Sequence, residues 1–411
     1  MYRCITELKG LIIDVDSFTD IIKSRWRDLY KKFKCVFITS DEDACSELVN
    51  LYGKDDVLYM QKFKKIFAPN NTTHNQVLDM LECKTTEVAY ISANDKFLNN
   101  ALGFMSGTIW VTDEITYDEA SSAADLICKD VDALFSILDN SIKGFLGEVA
   151  LFPSNEKTGL LVPVEFDVDD ESYLLCMIGR YFGYSHYMNQ IHPYSSAIFL
   201  NKKDGKAYGI FDDDFMNLYK AAIETVLINH KIDAICSVPT RPCKENRFEK
   251  TIEKLSSMFD LGNLTPYFVC KSDYPMQKTV SQMEREENVK DIFEITMDLT
   301  GKHIVIVDDI ITTGATMREC VRTLKKRGAE EIIIIALGIN QIRGNYWTSD
   351  VDEVKCPSCG AKMMLLINSK NKSFFYSCRD CKTTMNFEDG RKNLQMLVNR
   401  KKIIGDNDDL L

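Results

Sequence analysis

Two adjacent carboxylates, Asp308 and Asp309, follow the apolar run at 304–307 and precede a hydroxyl-rich turn, Thr312-Thr313-Gly314-Ala315-Thr316. A turn that opens a helix leaves its first amides without partners, and such amides attract an anion. Hydroxyls add donors, and a glycine lets the backbone come close. The turn therefore suits a phosphate. The carboxylates would repel that phosphate, but they suit sugar hydroxyls, which donate to an ionised acceptor. A sugar carrying a phosphate satisfies both halves of the pattern.

A second constellation is Cys356-Pro-Ser-Cys359 with Cys378-Arg-Asp-Cys381, two C-x2-C pairs eighteen residues apart. That is the spacing of a zinc site. Four thiolates fill a tetrahedral shell and leave no open position, so Zn²⁺ there is structural rather than catalytic. Two disulfides are the alternative, which a reducing compartment disfavours. Lys355, Lys362, Lys370, Lys372, Arg379 and Lys382 give this segment a local positive surface. Such a surface suits a nucleic-acid or protein partner; otherwise the segment is a staple that packs against the domain before it.

The elements that must hold these residues alternate along the chain. The run at 304–307 has the length and β-branching of a buried parallel strand. After the turn, Met317, Cys320, Val321 and Leu324 recur at helical spacing, and Gly328 marks the stop. Upstream, a helix from Phe215 to about Asn229 leads into a strand at 234–238, and then into a basic loop holding Thr240, Arg241, Lys244 and Arg247. Arg binds phosphate oxygens with a planar fork, which makes Thr240 and Arg241 candidate pyrophosphate donors. In the first third, strands at 11–13, 36–38, 88–91 and 109–111 alternate with helical patterns through Ile22, Trp26, Leu29 and Phe33, and through Val77, Leu78 and Leu81. Ser40 with Asp43 reads as an N-cap and its capping-box partner. A long amphipathic helix is predicted from Tyr117 to about Asn140, with Leu126, Ile127, Val131, Leu134 and Leu138 on its apolar face. From Phe145 the pattern turns β-rich, broken by Pro153, Gly159 and Pro163. Alternation of this kind implies mostly parallel sheets covered by helices, an α/β fold.

At 303–317 the sequence resembles the type I phosphoribosyltransferases, whose loop of two acids followed by Thr-Thr-Gly-x-Thr is matched without a gap. The resemblance implies that Asp308 and Asp309 hold the ribose hydroxyls of phosphoribosyl pyrophosphate (PRPP), that Thr312, Thr313, Gly314, Ala315 and Thr316 cradle its 5′-phosphate, and that Mg²⁺ accompanies it. Gln277, Gln282, Arg285, Asn288 and Phe293, with Val238-Pro239 and Arg247-Phe248, are similar to ComF-type members, a family associated with DNA uptake. Where those often carry Arg-Gly-Phe-Asn, this chain has Arg247-Phe248-Glu249-Lys250. The polar stretch 271–290 suits a flap in which Lys278 or Arg285 neutralises departing pyrophosphate. The acceptor is not readable.

The phrase Leu11-Ile12-Ile13-Asp14-Val15-Asp16 resembles the first motif of the haloacid-dehalogenase-like (HAD-like) hydrolases. By that resemblance Asp14 attacks a phosphoryl group and Asp16 protonates the leaving oxygen. Thr39 supplies a phosphate-binding hydroxyl, and one of Lys62, Lys64 and Lys65 the lysine, with Lys65 the candidate. Asp95 serves as the displaced acid for a Mg²⁺ at Asp14 and Asp16, because Ala93 stands where a carboxylate belongs.

These readings divide the chain into a HAD-like Rossmannoid domain at 1–142, a phosphoribosyltransferase domain with a parallel sheet flanked by helices at 143–345, a small zinc ribbon at 346–392 and a tail at 393–411. The last residues, 403–411, read as disordered. The chain's 411 residues carry a formal charge of −11 and 45% hydrophobic residues. That charge argues against a broad nucleic-acid footprint. No apolar run approaches a membrane span, no secretory signal opens the sequence, and the fourteen cysteines are mostly scattered singly. These features point to a cytoplasmic protein without a membrane partner. A homo-oligomer remains open.

Overall fold

The computed structural model describes residues 7–18, 25–139, 142, 144–152, 158–183, 186–202, 208–242, 244–273, 282–341 and 353–400. Short apolar runs with polar tips build the first sheet: β1 (Gly10–Asp14), β2 (Lys34–Thr39), β3 (Val57–Tyr59), β4 (Val88–Ser92), β5 (Gly107–Val111) and β6 (Leu126–Cys128). Their order is β3-β2-β1-β4-β5-β6 and every pairing is parallel. β1 and β4 are buried along their whole length, as strands covered on both faces must be. The parallel register brings Asp14, Thr39 and Ser92 to one edge of the sheet.

Two local expectations are corrected here. The stretch 117–140 is not one helix but a short helix (Tyr117–Ala120), strand β6 and a second helix (Val131–Leu138). Leu126 and Ile127 fit a helical stripe and a buried strand alike. The strand wins because it completes the sheet beside β5, and because the Asp125 carboxylate just before it accepts from the Thr108 amide and hydroxyl at 2.9 and 3.0 Å. Asp41, not Ser40, caps the helix Glu42–Tyr52 by accepting from the Ala44 amide. Ser40 is instead drawn to Asp16.

The second sheet takes β7 (Val162–Val168), β8 (Glu171–Met177), β9 (Arg180–Tyr181), β10 (Ala234–Ser237) and β11 (Gly262–Asn263). A separate antiparallel pair follows, β12 (Phe268–Cys270) with β13 (Phe293–Ile295). β14 (His303–Ile311) and β15 (Glu331–Asn340) complete the order β11-β10-β14-β15-β8-β7, with β9 beside β15. All its pairings are parallel except β7 with β8. The β-rich stretch after Phe145 begins with a helix, Leu146–Leu151. Pro163 falls in the edge strand β7, where a missing donor is tolerated. β14 also runs further than its apolar run suggests. It continues through both carboxylates to Ile311, because β15 is long enough to pair with it to that point.

A third, antiparallel sheet of β16 (Met363–Ile367), β17 (Phe374–Cys378) and β18 (Thr384–Asn386) carries the cysteines. The helix Phe387–Arg400 follows it, with Leu394 and Val398 buried, so the segment read as a tail from 393 is folded as far as Arg400. Residues 403–411 lie outside the described residues. No described helix is long and apolar enough to cross a membrane.

Buried polar contacts join the first two sheets. Arg180 Nε and Nη2 donate to the two oxygens of Glu148 at 2.8 Å each, and Nη1 donates to Asp125 Oδ1 at 3.0 Å. Phe145 and Phe182 flank the guanidinium. Burial works against Glu148 ionising, but Arg180 and His192 hold its carboxyl well below the usual range. Gln341 adds a second link, accepting from Ala123 N and donating to Ala120 O at 2.9 Å each. Removing one partner of a buried ion pair strands the others, at a cost of about 3 to 5 kcal/mol. Arg180→Met should lower the unfolding free energy by that amount in urea melts; a loss below about 1 kcal/mol would show that the network does not pin the fold.

Candidate functional site

Gly314 stands at the N-cap of the helix Ala315–Lys326 with φ +80°, a conformation open to glycine at little cost. A Cβ there would also meet the Phe166 ring and Arg318 Nη1 at 3.1 Å. The helix buries Met317, Cys320, Val321 and Leu324, the face its spacing predicts, and Gly328 follows its end with φ +94°. Thr312 is exposed, Thr313 and Thr316 are half-buried, and Ala315 is buried. The turn thus offers hydroxyls and the N-terminus of a twelve-residue helix that no side chain of Gly314 can cap.

The acid pair lies at the carboxyl-terminal part of β14, next to the end of β10. Ligands of open α/β sheets bind outside these strand ends. Asp309 is buried and paired with Lys202, at 2.7 Å, and with Arg247 of the basic loop. Asp308 Oδ1 accepts from the Asp309 amide at 2.8 Å, and Tyr219 donates to the Asp308 carbonyl. Burial pushes the Asp308 carboxyl up to about 6, against the pull of Lys202 and Arg247. Arg241 reaches Asp273 at 3.7 Å, and Thr240 is half-buried in the same loop. Acid pair, hydroxyl turn and basic loop therefore converge at adjoining strand ends. Lys278 lies outside the described residues, and of Arg285 only the backbone is described, in the helix Gln282–Val289. Lys202 carried no signal in the sequence, because its helix, Pro193–Lys202, has no motif of its own.

The first sheet holds a second cluster. Lys65 Nζ lies 2.6 Å from both Asp14 Oδ1 and Asp16 Oδ2, which selects it from the three lysines considered. Thr39 and Ser40 hydroxyls donate to Asp16, and Ser92 Oγ donates to Asp14 Oδ2 at 2.7 Å. Burial works against Asp16 ionising, yet the bonds from Lys65, Ser40 and Thr39 lower its carboxyl to about 2. Asp14, Asp16, Ser40 and Lys65 line an open cavity of about 610 Å³, with Lys62, Asn94 and Asp95 also in its wall. Ser92 ends β4 beside Asp14, Ala93 follows it, and Asn94 caps the helix Asp95–Ala101 that Asp95 starts.

The four cysteines meet. Cys356 and Cys381 sulfurs are 3.5 Å apart, Cys359 and Cys378 are 3.6 Å apart, and all four lie within 4.8 Å of one another. Four sulfurs about 2.3 Å from a tetrahedral ion have such separations. The cluster fits a metal such as Zn²⁺. Three of the six cations around it are in ion pairs: Lys355 and Lys362 with Glu353, and Lys372 with Asp214. The helix that follows packs Phe387 edge-on against Phe152, and Asn399 Nδ2 donates to Thr86 Oγ1 at 2.9 Å. The segment therefore braces both sheets.

Residues 222–359, about a third of the chain, match the phosphoribosyl transferase domain family. Competence protein F of Haemophilus influenzae is 30% identical over 95 residues, covering 22% of this chain and 42% of that protein. The DNA utilization protein YhgH of Escherichia coli K12 is 36% identical over 61 residues, covering 15% and 27%. A ribose-phosphate pyrophosphokinase of Methanosarcina acetivorans is 56% identical over 36 residues, covering 9% and 13%. The chain spans less than half the length of each of these relatives. It carries a phosphoribosyl transferase domain homologous to competence protein F and YhgH.

Elemental analysis should find one thiol-bound metal ion per chain. Cys356→Ser with Cys381→Ser should remove it and lower the thermal midpoint by several degrees, because Phe387 and Asn399 lose their platform. A metal-free wild type with an unchanged midpoint would rule out the brace.

Proposed function

We propose that the central unit binds PRPP with Mg²⁺ and transfers its phosphoribosyl group to a nitrogenous acceptor, releasing pyrophosphate. The observation that carries this reading is the convergence of acid pair, hydroxyl turn and basic loop at the ends of β10 and β14, inside the matched domain. In this reading the turn at 312–316 takes the 5′-phosphate, Asp308 and Asp309 accept from the ribose hydroxyls, and Thr240 and Arg241 face the pyrophosphate. Arg247 and Lys202 hold the site's charge near balance before ligand arrives, and Arg247 is placed to exchange Asp309 for a pyrophosphate oxygen. Mg²⁺, when bound, neutralises leaving-group charge. The C1–O bond to pyrophosphate breaks, a C1–N bond forms and the acceptor nitrogen loses a proton. Positioning and electrostatics supply the rate. We assign Zn²⁺ to the four cysteines.

The first unit supports a second reading, a HAD-like phosphatase, on the observation that Lys65 bridges Asp14 and Asp16 beside Thr39. Ser92 and Ala93 stand where a metal-binding acid would complete that site, so Asp95 must supply it. Hydrolysis of p-nitrophenyl phosphate, lost in Asp14→Asn, is the expected result; no hydrolysis by wild type would reduce this unit to a scaffold.

Calorimetry with PRPP and Mg²⁺ tests the main reading. Asp308→Asn with Asp309→Asn should weaken binding about a hundredfold or more; equal binding by wild type and variant would refute it. Because the Asp308 carboxyl sits near 6, wild-type affinity should hold above that pH and fall as pH drops through it, when the protonated acid loses acceptor capacity. Asp308→Asn should keep only the titration of the ligand's own phosphates.

A further inference from the structure

The helix Tyr117–Ala120 leaves the carboxyl edge of the first sheet and crosses to the second. Thr116 bridges Glu165 of β7, and the Glu165 amide donates to the Ile115 carbonyl at 2.7 Å. Tyr117, the first residue of that helix, is buried and donates its hydroxyl to the Thr312 carbonyl at 2.8 Å. Its ring meets Phe166 edge-on at 5.1 Å, and Phe166 lies directly behind Gly314. From the other side, Arg318 Nη1 donates to the Thr313 carbonyl at 2.9 Å, and Arg318 Nε to the Asp167 carbonyl at 3.1 Å. The Arg318 guanidinium lies over both rings, at 5.8 Å from Tyr117 and 5.2 Å from Phe166. Two successive carbonyls of the turn are therefore fixed, one by each unit of the chain.

In a trans peptide the carbonyl and the amide of the next residue point in opposite directions. Anchoring the Thr312 and Thr313 carbonyls toward Tyr117 and Arg318 turns the Thr313 and Gly314 amides the other way, away from the Phe166 side. We propose that Tyr117 and Arg318 are positioning residues for the 5′-phosphate turn, so that the first unit takes part in ligand binding by the second. This rests on the PRPP reading above. Neither residue touches the ligand. Without the Tyr117 hydroxyl, the first of these peptides is free to rotate, and the turn loses the amide orientation that an anion needs.

The test uses the full-length, metal-loaded chain and calorimetry with three probes in the presence of Mg²⁺: PRPP, ribose 5-phosphate and inorganic pyrophosphate. Tyr117→Phe keeps the ring contact with Phe166 and removes only the hydroxyl. It should weaken PRPP and ribose 5-phosphate about tenfold while leaving pyrophosphate affinity and the thermal midpoint unchanged. Arg318→Met should weaken the same two probes by a similar factor. Ribose 5-phosphate binding by Tyr117→Phe equal to wild type would overturn the proposal. An equal loss for pyrophosphate would overturn it too, since that pattern signals general loosening. If wild type binds neither PRPP nor ribose 5-phosphate, the functional reading itself fails; if wild type binds both and the variants do as well, only the positioning role fails.

Discussion

A fully buried arginine between two carboxylates from different parts of the chain sets the geometry of the rest. Arg180 satisfies Glu148 in bidentate fashion and Asp125 with its remaining nitrogen, and Asp125 in turn accepts from Thr108 in the first sheet. None of the three charges can be removed from water singly without a large penalty, so the two sheets have little freedom to separate. The Phe145 and Phe182 rings beside the guanidinium restrict it further. The crossing segment that carries Tyr117 to the Thr312 carbonyl is held in place by this fixed relation, with Gln341 and the Thr116 bridge on either side.

Within that frame the central cleft solves an electrostatic problem. Two adjacent carboxylates at a strand end would repel each other and an incoming phosphate. Asp309 pairs with Lys202 and Arg247, and the same two cations pull against the burial that raises the Asp308 carboxyl to about 6. Two acids and two cations thus bring the cleft near neutrality. The cluster at Asp14 follows the same logic with one lysine shared between two acids.

Much of this was legible in the residues. The turn at 312–316 needs glycine for its backbone and its packing, the helix after it shows its buried face, and the cysteine spacing closes into one cluster. Period alone could not separate β6 from a helix, because Leu126 and Ile127 satisfy both patterns and only the neighbouring strand decides. Lys202, Tyr117 and Arg318 were invisible for a related reason. Lys202 and Tyr117 act on partners 107 and 195 residues away, and Arg318, though it also bonds Thr313, reaches Asp167 151 residues away. The helix Phe387–Arg400 gives little signal because its apolar residues are sparse, and Leu394 and Val398 face Thr86, Met105 and Ile191 of the other units.

The seam between Asn399 and Thr86 has a bearing on biosynthesis. Its partners are 313 residues apart, so a ribosome adds more than three hundred residues after Thr86 before they can meet. Non-local contacts of this span form late. Until then the ledge around Thr86 and Met105 has no cover from Leu394 and Val398, and the helix bearing those residues is anchored to the cysteine-held sheet. If the four cysteines hold an ion, covering this apolar ledge depends on metal as well as on sequence, and a chain without the ion leaves the ledge open to chaperones and proteases.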